Sequence, residues 1–202
     1  MRAAIGVRAH SGWAAVVAVA GDAREVSVLA RQRVVVIDAA GPRANQPYHY
    51  AEMLPLNEAQ AHLDRCEQTA IRLATAALEE LVKKLRETRH DVVGCGILQA
   101  SGRALPQLPQ ILASHAMIHT AEGQFFRNVF AQGCEKIKVP VVKFRERELM
   151  DLAVRELRVT APKITSKLAS LGRELGPPWT QDQKFAALAA WLLLAPRNGK
   201  KR

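Results

Sequence analysis

Residues 113–127, ASHAMIHTAEGQFFR, place His115, His119 and Glu122 at helical spacing beside a row of large apolar side chains. At about 100° per residue, these three polar groups fall within an arc of about 60°. The same arc carries Ile111, Leu112, Phe126, Val129 and Phe130, which predicts that the imidazoles and the carboxylate face the core side of a helix. Ionisable groups placed there need partners. Two chemistries suit them. A histidine paired with a carboxylate can move protons near neutral pH, as in a hydrolase. Alternatively, two histidines four residues apart and a carboxylate one turn on can converge on one metal ion, for which zinc is the leading candidate. The segment lacks the HExxH pattern and a clear fourth ligand, so the metal's identity stays unknown. A purely structural reading has His115 and Glu122 satisfying one another beneath a sheet.

Other nucleophiles are less well placed. Cys95 lies in an apolar run, and Cys66 and Cys134 fall on helical stretches without an obvious adjacent base. Ser11 and Ser101 stand near glycines but not in a G-x-S-x-G turn. The G-C-G of Gly94 to Gly96 lacks the rest of a dinucleotide-binding fingerprint; glycines in a buried strand allow a helix to pack closely.

The chain of 202 residues, 49% hydrophobic, is long enough for one core, and no polar linker divides it. This predicts a single domain over residues 1–195 and a basic flexible tail over 196–202. Of the formal charge of +10, Arg197, Lys200, Lys201 and Arg202 supply +4. A further local excess of +6 lies between Lys136 and Arg173, where Lys143, Arg145, Arg147, Lys163 and Lys167 are the expected contributors to a phosphate-binding patch. The three cysteines, odd in number and in apolar surroundings, predict reduced thiols and a cytoplasmic protein. The run WAAVVAVA resembles a short export signal but fits better as a strand, and no segment reaches membrane-spanning length.

The elements that must position these residues follow from periodicity. Apolar runs at 3–9, 13–20 and 26–37, joined by short turns, predict an antiparallel meander. A Pro-bounded loop over 41–55 carries Tyr48, His49, Tyr50 and Glu52, a cluster of the kind that often serves only as a packing tether. Spacing of three and four predicts a long helix over 57–89 with Asn57 as N-cap. Residues 91–98 and 139–144 read as buried strands, separated by a second long helix over 108–134. Shorter helices follow at 147–157 and 163–171. The last helix is announced by Pro177-Pro178 and by the capping-box spacing of Thr180 and Gln183, with an apolar stripe of Phe185, Leu188, Ala189, Leu192 and Leu193.

The opening IGVRAHSGWAAVVAV, the strand VVGCGIL, the basic stretch from Lys143 to Lys167 and the closing DQKFAALAAWLLL, in this order, resemble the ribonuclease H-like superfamily, and more particularly RuvC-type Holliday-junction resolvases. The resemblance spans most of residues 3–194. It implies an α/β fold with a mixed sheet of five strands, three antiparallel and then two alternating with helices, flanked by helices. It also implies a homodimer. Family members hold two divalent ions on acidic residues of the first strand, the end of the fourth strand and the last helix, because hard cations need several carboxylate oxygens. Here Arg8 or a close neighbour replaces the first acid, Gln99 and Ser101 end the fourth strand, and only Asp182 matches. The resemblance therefore implies a noncatalytic or altered member whose cleft, rebuilt from Arg8, His10, Ser101, Arg103, His115, His119, Glu122 and Asp182, favours anions. Three functions remain open at this point. They are binding of nucleic acid or another phosphorylated ligand, an enzyme acting through His115, His119 and Glu122, and a structural or partner-binding protein.

Overall fold

The computed structural model describes residues 1–100, 104–173 and 175–196. Three strands open it: β1 (Arg2–His10), β2 (Trp13–Gly21) and β3 (Val26–Val35), each antiparallel to the next. The turn between β1 and β2 places Gly12 at φ 82°, a left-handed conformation that a side chain would strain. The run WAAVVAVA forms β2, whose residues from Ala14 to Ala20 are buried because neighbouring strands flank it and helices cover both faces.

After the meander come α1 (Pro47–Ala51) and α2 (Leu56–Glu87), then β4 (Asp91–Gln99), which runs parallel to β1. Two helices, α3 (Leu108–Leu112) and α4 (His115–Lys136), lead to β5 (Val141–Arg145), parallel to β4. A single 3-10 turn, Glu146–Glu148, then passes into α5 (Leu149–Leu157), α6 (Ala161–Leu171) and α7 (Gln181–Leu194). The sheet order is β3-β2-β1-β4-β5, the predicted mixed sheet of the ribonuclease H-like topology.

The structure corrects several expected boundaries. The 41–55 loop contains α1, started by Pro47, whose fixed φ suits a first helical position. Helix α2 begins after Pro55 rather than at an Asn57 cap. The long helix expected over 108–134 is broken, because Ser114 adopts an extended backbone at φ −142° and ψ 111° and starts a new helix at His115. Serine favours such positions since its hydroxyl competes with helical hydrogen bonding. The strand expected from residue 139 begins two residues later, after Lys138 in a left-handed conformation at φ 59° and then Pro140.

Two cores sandwich the sheet. On one face, α2 and α4 press Leu78, Leu81, Phe126 and Phe130 onto Ile5, Val16 and Ile97. Each such fully buried side chain contributes roughly 1.5–3 kcal/mol. On the other, α7 lies on Ala4, Val17 and Leu98 and is itself covered by α5 and α6. That covering explains why α7 is buried continuously from Ala186 to Leu194, where an amphipathic stripe was expected. The approach of α7 depends on glycines in the sheet. A Cβ added at Gly6 would collide with the carbonyl oxygen of Ala186, and one at Gly96 would lie 2.8 Å from that of Ala189.

Both ends of α7 are fixed. Thr180 and Gln183 form the predicted capping box, and the Arg2 guanidinium donates to the carbonyls of Leu193 and Leu194, each at 3.3 Å. The connection entering α7 is tied to edge strand β3, where Arg31 donates to the carbonyls of Gly176 and Pro178 at 2.7 Å. Among the described residues, no helix is long and apolar enough to cross a membrane.

Replacing Gly6 with alanine should force α7 away from the sheet, with a loss of about 1–3 kcal/mol or more in unfolding free energy. Urea denaturation checks this: the midpoint falls at unchanged slope, whereas an unchanged midpoint would show that the contact is not a constraint.

Candidate functional site

The parallel strands β1, β4 and β5 end on one side of the sheet, where the N-terminus of α7 also arrives. Clefts beyond the carboxyl ends of strands are the usual ligand sites of open α/β sheets. Here the first residue reached is Arg8 of β1. Its Nη2 and Nε donate to Glu146 Oε1 at 2.6 Å and Oε2 at 3.1 Å, a bidentate pair, while Nη1 donates to Asp182 Oδ1. The Glu146 hydrogen bonds, opposed by burial and helped by both carboxylate charges, raise the Arg8 pKa further above its ordinary value. Phe185 supplies a ring face 5.4 Å from the guanidinium carbon.

His10 Nε2 lies 3.0 Å from the same Asp182 oxygen, so the Arg8–Asp182 pair is one part of a larger network. The His10 ring stacks on Trp13 at 4.4 Å, and the Arg33 guanidinium covers Trp13 at 3.7 Å. The result is a half-exposed chain of alternating charge and aromatic faces along the end of β1 and β2.

Two adjoining depressions flank this network and share Gln99, Ala100 and Arg127. One, of about 830 Å³, includes Arg8, His10, Glu146 and Arg147; the other, of about 480 Å³, includes His119, Gln124, Asn128 and Lys143. The Arg127 side chain folds back over Gly123, where an added Cβ would lie 2.9 Å from Nη1. Burial lowers the Arg127 pKa, with Glu146 opposing, but a guanidinium stays charged throughout. The basic third does not form one surface. Lys143, Arg145 and Arg147 gather at the end of β5, with Arg145 and Arg147 each paired to Glu148. Lys167 lines a depression with Met1, Gly21 and Glu25 at the opposite end of the sheet, and Lys163 is exposed on α6. Ser101 and Arg103 lie outside the described residues.

The histidine segment differs from its prediction. His115 and His119 are exposed in the first turns of α4, and of the three only Glu122, one turn further on, is buried. Glu122 does not turn to His115. Its Oε1 accepts from His49 Nδ1 at 2.9 Å and from the His49 backbone N–H at 3.2 Å. His49 on α1 therefore joins the cluster, with ring centroids 5.2 Å from His115 and 4.8 Å from His119, while the Nε2 atoms of His115 and His119 are 3.0 Å apart.

One correction concerns the thiols. Cys66 does have an adjacent base, since its Sγ lies 3.5 Å from His62 Nε2, one helical turn earlier. Burial raises the Cys66 pKa and lowers that of His62, with Arg65 adding to the His62 shift, so the pair rests as neutral thiol and imidazole rather than as a reactive ion pair. The neighbouring Cys134 thiol and complete burial raise the Cys95 pKa likewise. All three cysteines are free.

Glu146, His49 and Arg127 were missed by sequence reasoning. Glu146 was one charge in a mixed run, and its only signal was its place immediately after a strand. His49 and Glu122 are 73 residues apart, and no periodicity links them.

The lowered His62 pKa has a definite sign. Below its ordinary value of 6.5, the unfolded chain takes up the proton first, so stability falls as pH falls from there toward the lower folded value. Unfolding free energies measured from pH 7 to pH 5 should show this acid limb, and His62→Gln should flatten it; an equal slope in the variant would remove the assignment.

No family model and no curated protein matches the sequence. Two similar solved structures are Thermus thermophilus RuvC in complex with a Holliday junction substrate and Thermus thermophilus RuvC by itself. Each aligns with a TM-score of 0.55 at 10% identity; the first alignment covers 95% of this chain and 92% of that one, the second 94% and 92%. At that identity the likeness speaks for the fold, and the fold is ribonuclease H-like.

Proposed function

We propose that this chain is a noncatalytic or altered ribonuclease H-like protein that binds nucleic acid, or another phosphorylated ligand, at the carboxyl end of its parallel strands. The carrying observation is the Arg8 guanidinium held between Glu146 and Asp182. A two-metal nuclease needs carboxylates there to offset two divalent ions. Here the available carboxylates already neutralise a fixed cation, and the strand beside it ends in Gln99, an amide. Beyond that network the cleft offers Arg127, Lys143 and Arg147 to an anion. That one of the similar structures is RuvC bound to a Holliday junction supports a branched nucleic acid as the first ligand to try. A homodimer belongs to the same reading, and sedimentation at micromolar concentration tests it.

Titration with branched, duplex and single-stranded DNA at varied salt should give binding that survives removal of residues 197–202 and weakens as salt rises. Arg127→Ala should lower the slope of log K against log salt by about 0.9 on duplex arms if it contacts one phosphate. Binding that vanishes with the tail, or is indifferent to salt, would sink the proposal.

A second test addresses the lost metals. Arg8→Asp should create a carboxylate cluster with Glu146 and Asp182 that binds Mg²⁺, seen as a Tm rise of roughly 3–6 °C at ten times the dissociation constant. The native protein should show no such rise and no Mg²⁺-dependent cleavage of a junction; cleavage would overturn the noncatalytic reading.

A further inference from the structure

We propose that His49, His115 and His119 bind one divalent transition-metal ion of the zinc class, with Glu122 orienting His49, and that the ion keeps a fourth position facing the Arg127 cleft. One nitrogen from each of the three rings lies within 4.8 Å of those of the other two. Tetrahedral zinc with bonds of 2.0–2.1 Å separates its ligand nitrogens by about 3.3 Å. The His115 and His119 Nε2 atoms, 3.0 Å apart, already stand near that spacing. Rotation of two exposed rings closes the remainder without disturbing the core.

The rings meet edge to face, with interplanar angles of 78°, 66° and 81°, rather than stacked. In-plane lone pairs can therefore converge from three directions. Without an ion, the two facing Nε2 atoms need a proton between them, and only one can donate it.

Glu122 supplies the second, independent sign of a built site. An ionised carboxylate only accepts, so His49 Nδ1 carries the hydrogen and the tautomer leaves Nε2 with its lone pair. The His49 backbone N–H fastens the same oxygen, and Glu122 is 4% exposed. A buried carboxylate behind one histidine offsets part of the ion's charge without touching the ion. An all-imidazole set suits zinc and its neighbours, whereas Mg²⁺ and Ca²⁺ need oxygen ligands. The first turn of α4 is the positive end of a helix dipole, which at an exposed, solvent-screened site opposes a cation only weakly.

His119 lines the same depression as Gln124, Arg127 and Lys143. A three-histidine set leaves tetrahedral zinc one position for water or an anion, and through His119 the ion borders this cleft. The metal site stands or falls separately from nucleic-acid binding.

The test uses full-length, untagged, chelator-stripped protein titrated with Co²⁺ and then Zn²⁺. One Co²⁺ per chain with the intense visible bands of four-coordination, displaced by one Zn²⁺, is expected. H115A and H119A, both at exposed positions, should abolish the bands while the melting temperature of the metal-free protein is unchanged. E122Q should keep the stoichiometry but weaken binding by about 10–100-fold. H49Q should behave as the two alanine variants do, and E122Q reports on the same ligand if H49Q folds poorly. No visible bands, or bands that persist in both alanine variants, would overturn the site. Azide added to the Co²⁺ form should shift the spectrum, and an unshifted spectrum would overturn the open position.

Discussion

The contact on which the rest of the molecule depends is the seat of α7 directly on the sheet backbone. Helices ordinarily rest on a layer of side chains, but Gly6 and Gly96 remove that layer and admit the carbonyls of Ala186 and Ala189. The approach is possible only because the helix carries alanines at these points. With α5 and α6 over its outer face, that seat leaves the helix buried from Ala186 to Leu194 and its charged groups confined to its first turn. The capping box at one end and Arg2 at the other hold it in that place. Asp182 is thereby delivered to the end of β1, so the chemistry of the cleft follows from a packing constraint several residues away.

At that end the protein carries its own cation. A mobile divalent ion can leave, exchange and polarise a phosphodiester; a guanidinium gripped by two carboxylates is covalently attached and has no open coordination position. On the proposed reading, Arg8 supplies positive charge at this end of the sheet without the Lewis acidity of a metal ion. The aromatic and basic groups beside it, His10, Trp13 and Arg33, extend the surface along β2 and β3 and offer faces rather than nucleophiles.

Much of the fold was legible in the sequence because each element carries a local signal. The apolar runs of β1, β2 and β4, the three-and-four spacing of α2, and the Thr180 and Gln183 cap all specify their structures within a few residues. The errors fall where a single residue overrides a pattern. Ser114 breaks an otherwise helical run, so the arc that includes Ile111 and Leu112 does not continue into α4, and His115 and His119 stand at the surface. Arg8 and Asp182 could be paired from topology, since strand order places them at one end of the sheet. Glu146 and His49 could not, because their roles depend on which loops meet in space. Glu122 is buried as its helical arc predicts and His115 and His119 are not, since a helical arc specifies direction and not the depth of what covers it.

The Arg31 tether has a consequence for assembly. Strand β3 is ten residues long and stands at the edge of the sheet, where its outer backbone groups could template a strand from another molecule. Arg31, Gln32 and Arg33 put polar groups along its middle, and Arg31 also draws the 176–178 segment against it. The opposite edge, β5, is short and carries Lys143 and Arg145. Both margins of the sheet are thus defended by cations, so the basic excess that suggests an anionic ligand also resists the β-pairing from which insoluble aggregates grow.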